Sequence, residues 1–414
     1  MRRRWLVVLL ALIVLAAGVA AAAAVVVWKH RHPGSIRGSA STEFETTEAP
    51  GATTRPQELV REIPWPTFGY DNARTHFAPD FHVRPPFRRL WEVRTHSLLE
   101  FPPVVAYGRL LVGSNAGRFL AIDAETGHIA WRKNFGRCIA ASPAVGDNVV
   151  YQPLMDPSPC REHKEDAPGF MIALDADTGT ELWRFRAGVI ESSPLLVDGI
   201  VYFGSWDHKL YALDASTHRV RWTFTTGDKV KDGVAYRNGT VYFGSYDGKV
   251  YALDARTGKK RWSASGNENF YSTPAVAYGR VYIGNTDGRV YAYGAKSGHL
   301  LWARSTGKYV YASPAIWNKR VYAGSYDGHF YALDAGTGDV RWKFNAHGAV
   351  SGSATVIDGV VYFSTLSDRT YGLDARTGKK LWQFGDGQYN PGVADEERFY
   401  AVGYKAIYGL EPRG

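Results

Sequence analysis

The sequence predicts an all-β chain: an eight-bladed β-propeller of four-stranded antiparallel blades, preceded by a single N-terminal transmembrane helix. Three observations carry this expectation. Eight tryptophans, Trp91, Trp131, Trp183, Trp222, Trp262, Trp302, Trp342 and Trp382, recur at steps of 40, 52, 39, 40, 40, 40 and 40 residues. A fixed period of that size marks a stack of supersecondary units. Aromatic residues make up 14% of the chain, with 25 Tyr and 44 Gly, a mixture suited to short strands and tight turns. Finally, Trp5 to Trp28 form 24 uncharged, almost wholly apolar positions, enough to cross a hydrocarbon core of about 30 Å as a helix.

Residues 1–32 therefore read as a signal anchor. Arg2, Arg3 and Arg4 precede the apolar run, and Lys29 and Arg31 follow it. The run exceeds the apolar stretch of about 7–15 residues in a cleaved signal peptide, although Ala20–Ala24 offers a cleavage site as the alternative. The leading charges favour a cytoplasmic N-terminus, a single pass through the cell membrane and an extracytoplasmic body. Residues 33–60 are rich in Ser, Thr, Ala, Gly and Pro, too poor in apolar surface to offset their ordering entropy, and predict a flexible linker. Order is expected from about Trp65, and the propeller over 61–414.

From residue 88 one unit recurs, as in 241–262, VYFGSYDGKVYALDARTGKKRW. Val241–Gly244 and Val250–Leu253 alternate as strands, and Tyr246-Asp247-Gly248 forms the turn between them. Asp254 to Gly258 makes a second turn before the strand bearing Trp262. Gly admits the positive φ of such turns, and Asp and Thr bond back to nearby amides. The turn aspartate recurs as Asp123, Asp175, Asp214, Asp254, Asp334 and Asp374, but the unit ending at Trp302 has Gly294 instead. A fourth strand lies near pairs such as Ser142-Pro143, Ser193-Pro194, Thr273-Pro274 and Ser313-Pro314. Four strands per 40 residues make one propeller blade. The last unit, from Phe399 to Glu411, lacks a Trp strand, and the Trp91 strand lacks a preceding turn motif. The two fragments complete one another, so the termini share the eighth blade and pair edges that would otherwise be exposed.

The motif ALDAxTGxxxW, with VYxGSxDG upstream, resembles the repeat of the pyrroloquinoline-quinone (PQQ) type propellers over about residues 65–411. The opening Trp65 to Arg74, WPTFGYDNAR, is similar to the lead-in of that group. The resemblance implies the fold. It leaves function divided between quinone-dependent dehydrogenases and BamB-type scaffolds that assist outer-membrane protein assembly. The dehydrogenases hold the quinone beneath two adjacent disulfide-linked cysteines, with Ca²⁺ on acidic and amide side chains. Here the cysteines are Cys138 and Cys160, which are not adjacent. No cofactor is therefore expected, and PQQ with Ca²⁺ is kept as the alternative.

The repeated Asp and Trp residues read as turn caps and blade packing rather than as catalytic groups. Cys138 and Cys160 flank the 52-residue step, whose extra residues fall in 152–169. In an exported protein they favour a disulfide pinning this insertion, while a metal site is disfavoured, because only His163 lies near Cys160. The insertion reads as a partner contact or a tolerated extra loop. Counting back three residues from each Pro-equivalent position gives Glu100, Ala140, Glu191, Lys231, Tyr271, Tyr311, Ser351 and Tyr389. Strand geometry predicts that these form a ring near the axis. Its variation from blade to blade suits a ligand site in the channel, with Glu100, Glu191, Lys231, Tyr271, Tyr311 and Tyr389 as its polar and aromatic members.

The net charge of +9 is diffuse. Residues 1–61 carry 8 Lys and Arg against 4 Asp and Glu, leaving 41 against 36 for the rest. Without a basic run in the repeats, nucleic acid is not an expected partner. No catalytic or metal-binding residue is assigned, and an eight-bladed ring large enough to bury its own core is expected to be monomeric. Two readings follow. One is a non-catalytic, membrane-anchored scaffold for envelope proteins or polymers, BamB-like. The other is a quinone- or sugar-binding dehydrogenase or ligand sensor using the central channel.

Overall fold

The computed structural model describes residues 15–23, 25, 34–46, 62–158, 160, 164 and 166–413. Eight antiparallel four-stranded sheets form the blades. Blade 1 runs from Val104–Ala106 at the axis through Arg109–Gly113 and Arg118–Asp123 to Ile129–Asn134 at the rim. Blades 2 to 7 repeat this order, with rim strands Glu181–Ala187, Val220–Thr225, Lys260–Ser265, Leu300–Ser305, Val340–Asn345 and Lys380–Phe384. Blade 8 closes the ring. Its rim strand Phe87–Arg94 pairs antiparallel with Ala406–Pro412, placing Trp91 opposite Gly409. Both termini thus share one sheet, as the sequence predicts.

The period of 40 has a direct physical basis. Seven of the eight rim tryptophans, Trp382 excepted, reach sideways onto the turn of the next blade, so the repeated units must supply the same two surfaces. Gly298, at φ +72°, lies so close to Trp262 that a Cβ there would sit 2.7 Å from the indole ring. The Trp262 indole N–H donates to the Ala295 carbonyl at 2.9 Å, and the same contact joins Trp131 to Ala176, Trp222 to Ala255, Trp302 to Ala335 and Trp342 to Ala375. Apolar side chains fill the space between blades. Tyr282, Val290 and Trp302 of blade 5 pack with Ile316, Val321 and Leu333 of blade 6. Burial of this kind contributes on the order of 1.5–3 kcal/mol per large side chain.

The turn aspartates cap their own turns. Asp254 Oδ1 accepts from the Thr257 amide at 2.9 Å and its hydroxyl at 2.8 Å. Asp123, Asp175 and Asp374 do the same for Thr126, Thr178 and Thr377, while Asp214 takes Ser216 and Asp334 the Thr337 amide.

Residues 65–78 plug one end of the channel. The Trp65 amide donates to Val105 of blade 1, and the Pro66, Asn72, Ala73, Thr75 and His76 carbonyls accept from Val145, Tyr236, Val276, Ile316 and Val356 of blades 2, 4, 5, 6 and 7. Phe77–Ala78 then pairs parallel with the innermost strand of blade 7. Arg74, fully buried, donates to Val234 O at 2.9 Å, Pro194 O at 2.8 Å and Thr67 Oγ1 at 2.6 Å. The lead-in is a cross-linking hub that satisfies inner strand edges.

One expectation is not shown by the described residues, and another needs correction. Among the described residues no helix is long and apolar enough to cross a membrane. Residues 15–23 are helical, and most of the rest of the expected span, Trp5 to Trp28, lies outside the described residues. The flexible linker over 33–60 is also not what 34–46 form. They lie against blades 5 and 6, where Ile36 pairs with Ala303 on the blade-5 rim. Low apolar content did not prevent docking, because carbonyl acceptors and carboxylates make most of the contacts. Residues 47–60 lie outside the described residues.

Candidate functional site

The channel end opposite the plug opens into a cavity of about 170 Å³, floored by Phe68. Glu100, Glu191, Lys231, Tyr271, Tyr311 and Tyr389 line it together with Ser351. These residues are not on strands, contrary to the geometry assumed from sequence. The innermost strands are only three residues long, so the ring sits in the bends that lead into them. Ala140, the remaining member of that ring, does not line this cavity. It is buried in a cluster with Cys138, Met155, Val189 and Trp206.

Glu191 organises the site. It is 8% exposed, and its Oε1 accepts from the Tyr271 hydroxyl at 2.8 Å. Its Oε2 accepts from the Trp206 indole at 3.0 Å, with the Lys231 ammonium 3.5 Å away. Lys231 lies 4.3 Å from the Trp206 ring centroid and 4.8 Å from that of Tyr246, a caged ammonium held by ring quadrupoles and one carboxylate. The charge of Glu191, then burial, push the Tyr271 phenol well above its usual range. Burial, then Glu191, push Asp232 well above the usual carboxylate range, and its Oδ2 is buried without a hydrogen-bond partner. The protonated form of Asp232 is thereby favoured.

The aromatic lining continues outward. Tyr271 packs edge-on against Tyr311 at 5.1 Å, and Tyr311 against Tyr326 at 4.9 Å. Tyr246, Tyr309, Tyr311, Tyr326 and Leu366 then line an open groove of about 1170 Å³ across blades 4 to 7, with Tyr309 51% exposed. Sequence reasoning missed Trp206, Asp232, Tyr246 and Tyr326. A signal existed, because Trp206, Tyr246 and Tyr326 follow the repeated serine of the inner turn, where Asn115, Thr286 and Leu366 stand in other blades. The turn itself does not dictate that side chain.

Cys138 and Cys160 are joined in a disulfide, with Cα atoms 5.5 Å apart. It ties the insertion to blade 2, and Arg137 adds bonds to the Met155 carbonyl at 2.8 Å and to that of Pro168. His163 lies outside the described residues. Among the described residues no group of three His, Cys, Asp or Glu side chains is placed to hold a metal ion.

The model of the family described as outer membrane protein assembly factor BamB matches residues 88–217, 207–315 and 286–401. The chain belongs to this family of PQQ-type repeat propellers. The BamB of Legionella pneumophila (strain Paris) is 25% identical over 135 residues, 30% of this chain. The quinohemoprotein alcohol dehydrogenase of Comamonas testosteroni is 34% identical over 201 residues, 45% of this chain. The chain spans only 32% and 23% of the lengths of these relatives. The solved BamB from Moraxella catarrhalis superposes with a TM-score of 0.62 at 18% identity, covering 79% of this chain and 98% of that one. The solved Comamonas enzyme gives 0.71 at 16%, covering 86% and 82%. Both likenesses speak to fold alone.

The cavity does not fit the quinone of the dehydrogenase branch. PQQ carries three carboxylates, and this cavity faces it with the carboxylates of Glu100 and Glu191 around one already paired ammonium. Its volume also falls below the roughly 300–1,000 Å³ of pockets that enclose drug-sized ligands. Neither Cys138 nor Cys160 lines the cavity; they pack in the cluster with Met155, Val189 and Trp206.

Proposed function

We propose that this chain is a non-catalytic extracytoplasmic scaffold, BamB-like, anchored in the cell membrane by its N-terminal apolar run and holding an envelope protein on its tyrosine-lined face. One observation carries this reading. The strongest polar groups of the axial site are consumed by one another, Glu191 by Tyr271, Trp206 and Lys231, while the adjoining groove presents exposed aromatic rings. Tyrosine supplies large, rigid, amphipathic contact area, which is what protein interfaces favour. The family description and the BamB relatives support an envelope partner; the 24 uncharged positions from Trp5 to Trp28 support the anchor.

A photo-crosslinking residue at Tyr309, introduced into the full chain in cells, tests the proposal. The expected result is a discrete adduct with an envelope protein in the membrane fraction, lost when Tyr311 and Tyr326 are both replaced by Ala. Full-length protein that takes up PQQ with Ca²⁺, develops quinone absorbance and oxidises an alcohol or sugar with a dye acceptor would instead establish the enzymatic alternative.

A further inference from the structure

Blade 5 departs from its siblings at the position where they carry the capping aspartate, and the structure shows what replaces it. The Glu43 carboxylate sits against Gly294, where a Cβ would collide with Oε2. It accepts from the Ser297 hydroxyl at 2.8 and 2.9 Å, the part that Asp254 plays for Thr257 in blade 4. A residue some 250 positions away restores the missing cap.

The neighbouring residues are keyed to the same segment. Arg280 has no exposed surface, and its guanidinium donates to the Ser39, Thr42 and Glu43 carbonyls at 2.7, 2.5 and 3.1 Å. It also holds Ala335 O and Gly336 O of blade 6 at 3.0 and 2.6 Å. A buried charge without this many acceptors would be prohibitive. Ile36 exchanges two backbone bonds with Ala303 at 2.7 and 2.9 Å, and the Gly38 amide donates to Thr337 O at 3.0 Å. Gly38 passes so close to Trp302 that a Cβ would sit 2.9 Å from its ring. Trp302 has no exposed surface, whereas Trp262 keeps 9% and Trp131, Trp183, Trp222, Trp342 and Trp382 at the equivalent place are only partly buried. Phe44 packs at a tilt on Tyr278, ring centres 5.3 Å apart, and the Arg280 guanidinium lies 4.9 Å from the Phe44 ring.

We infer that residues 34–46 are a docked strap, keyed by Glu43 to the gap at Gly294, that fixes the rim of blades 5 and 6 as the face of the ring nearest the membrane. The second half rests on the anchored reading proposed above. Only five residues lie between Trp28 and Gly34, six steps of at most about 3.6 Å each, so roughly 20 Å is the greatest reach between them. A strap docked at Gly34 therefore holds the ring on edge against the bilayer, leaving its tyrosine-lined face turned sideways for partners.

Hydrogen exchange on the full chain in lipid vesicles tests the strap, and lipid-borne quenchers test the orientation. Wild-type amides of Ile36, Gly38 and Glu45 are expected to exchange at least tenfold slower than an unstructured segment. Gly294→Asp restores the repeat's own carboxylate, so it is expected to expel Glu43 and erase that protection while the ring keeps its melting temperature. Glu43→Ala, which lies outside the blades, is the second variant and is expected to act the same way. Unstructured exchange rates over 34–46 in the wild type, or protection unchanged in both variants, would overturn the strap. For orientation, a fluorophore at Lys296→Cys is expected to be quenched by headgroup nitroxides, and one at the equivalent blade-1 turn, Glu125→Cys, is not. Equal quenching at both sites overturns the membrane-facing assignment. A chain that stays out of the membrane fraction yet keeps 34–46 protected refutes the anchor and that assignment together, and leaves the docked strap standing.

Discussion

The indole of Trp262 and the hydroxyl of Tyr242 donate to one and the same carbonyl, that of Ala295 in the next blade, at 2.9 and 3.2 Å. The pattern recurs with Trp222 and Tyr202 on Ala255 and with Trp342 and Tyr322 on Ala375. Two donors share one acceptor, so losing either leaves the carbonyl satisfied, and losing both leaves it buried and unpaired. Tyr242→Phe is expected to cost about 1 kcal/mol. Trp262→Phe is expected to cost about 2–3 kcal/mol, because ring volume goes as well. The double variant should exceed the sum by roughly 1 kcal/mol, read by denaturant unfolding in a double-mutant cycle. Strict additivity would show that the shared acceptor does not couple them.

Acid should loosen the plug. Burial, and then the charge of Arg74, bring the His76 imidazole down to about 3. Between about pH 6.5 and 3 the unfolded chain takes up a proton at this position and the folded ring does not. The unfolded state then binds more protons, so this contribution to stability shrinks as pH falls through that window. The slope is at most about 1.4 kcal/mol per pH unit. Asn tolerates the left-handed backbone that His76 adopts at φ 53°. His76→Asn should therefore unfold with a flatter pH dependence between 6.5 and 4. Opposing contributions such as the raised Asp71 are present in both proteins and cancel in the difference. Parallel stability curves would remove His76 as the acid-sensitive group.

Reduction should act locally. The Cys138–Cys160 link closes a loop of 22 residues, which on chain-entropy grounds is worth about 3 kcal/mol. Cys138→Ser with Cys160→Ser is expected to lower the melting temperature and to open 152–169 to proteolysis. The blade-5 and blade-6 rims, which belong to sheets three and four places further round the ring, should keep their amide protection. Loss of protection there as well would mean that blade 2 is coupled to the whole ring rather than to its own insertion.

The parts that were legible in sequence are those built by nearest-neighbour repetition. Trp262 needs Gly298 and Ala295 one unit on, so the contact writes itself into the chain every 40 residues. The channel set was legible in phase, since Glu191, Lys231 and Tyr271 hold equivalent positions, although the bends that carry them had been taken for strands. The plug and the strap were not legible as such. Arg74 and Glu43 each act on distant blades once only, and a contact made once leaves no period. Gly294 was the single visible trace, an absent aspartate whose replacement lay in a segment with the composition of a linker.

Ring closure should hinge on Gly409. It lies opposite Trp91 across the shared blade, and any Cβ there would run into the indole ring. In blades 1 to 6 the residue facing the tryptophan is alanine, as in Ala252 opposite Trp262, and in blade 7 it is Gly372 opposite Trp382, but only at the junction would a Cβ run into the indole ring itself. Gly409→Val is expected to displace Trp91, cost roughly 2–3 kcal/mol by overpacking, and expose the Phe87–Arg94 strand to protease before the rest of the ring. Gly372→Ala is the matched control in blade 7, where the added atom would lie 3.0 Å from Tyr362 and 3.4 Å from Trp382. It should cost less and leave Phe87–Arg94 protected. If the two variants are cut equally slowly at that strand, the junction draws its strength from its seven-pair ladder, and Trp91 is incidental to holding the ring shut.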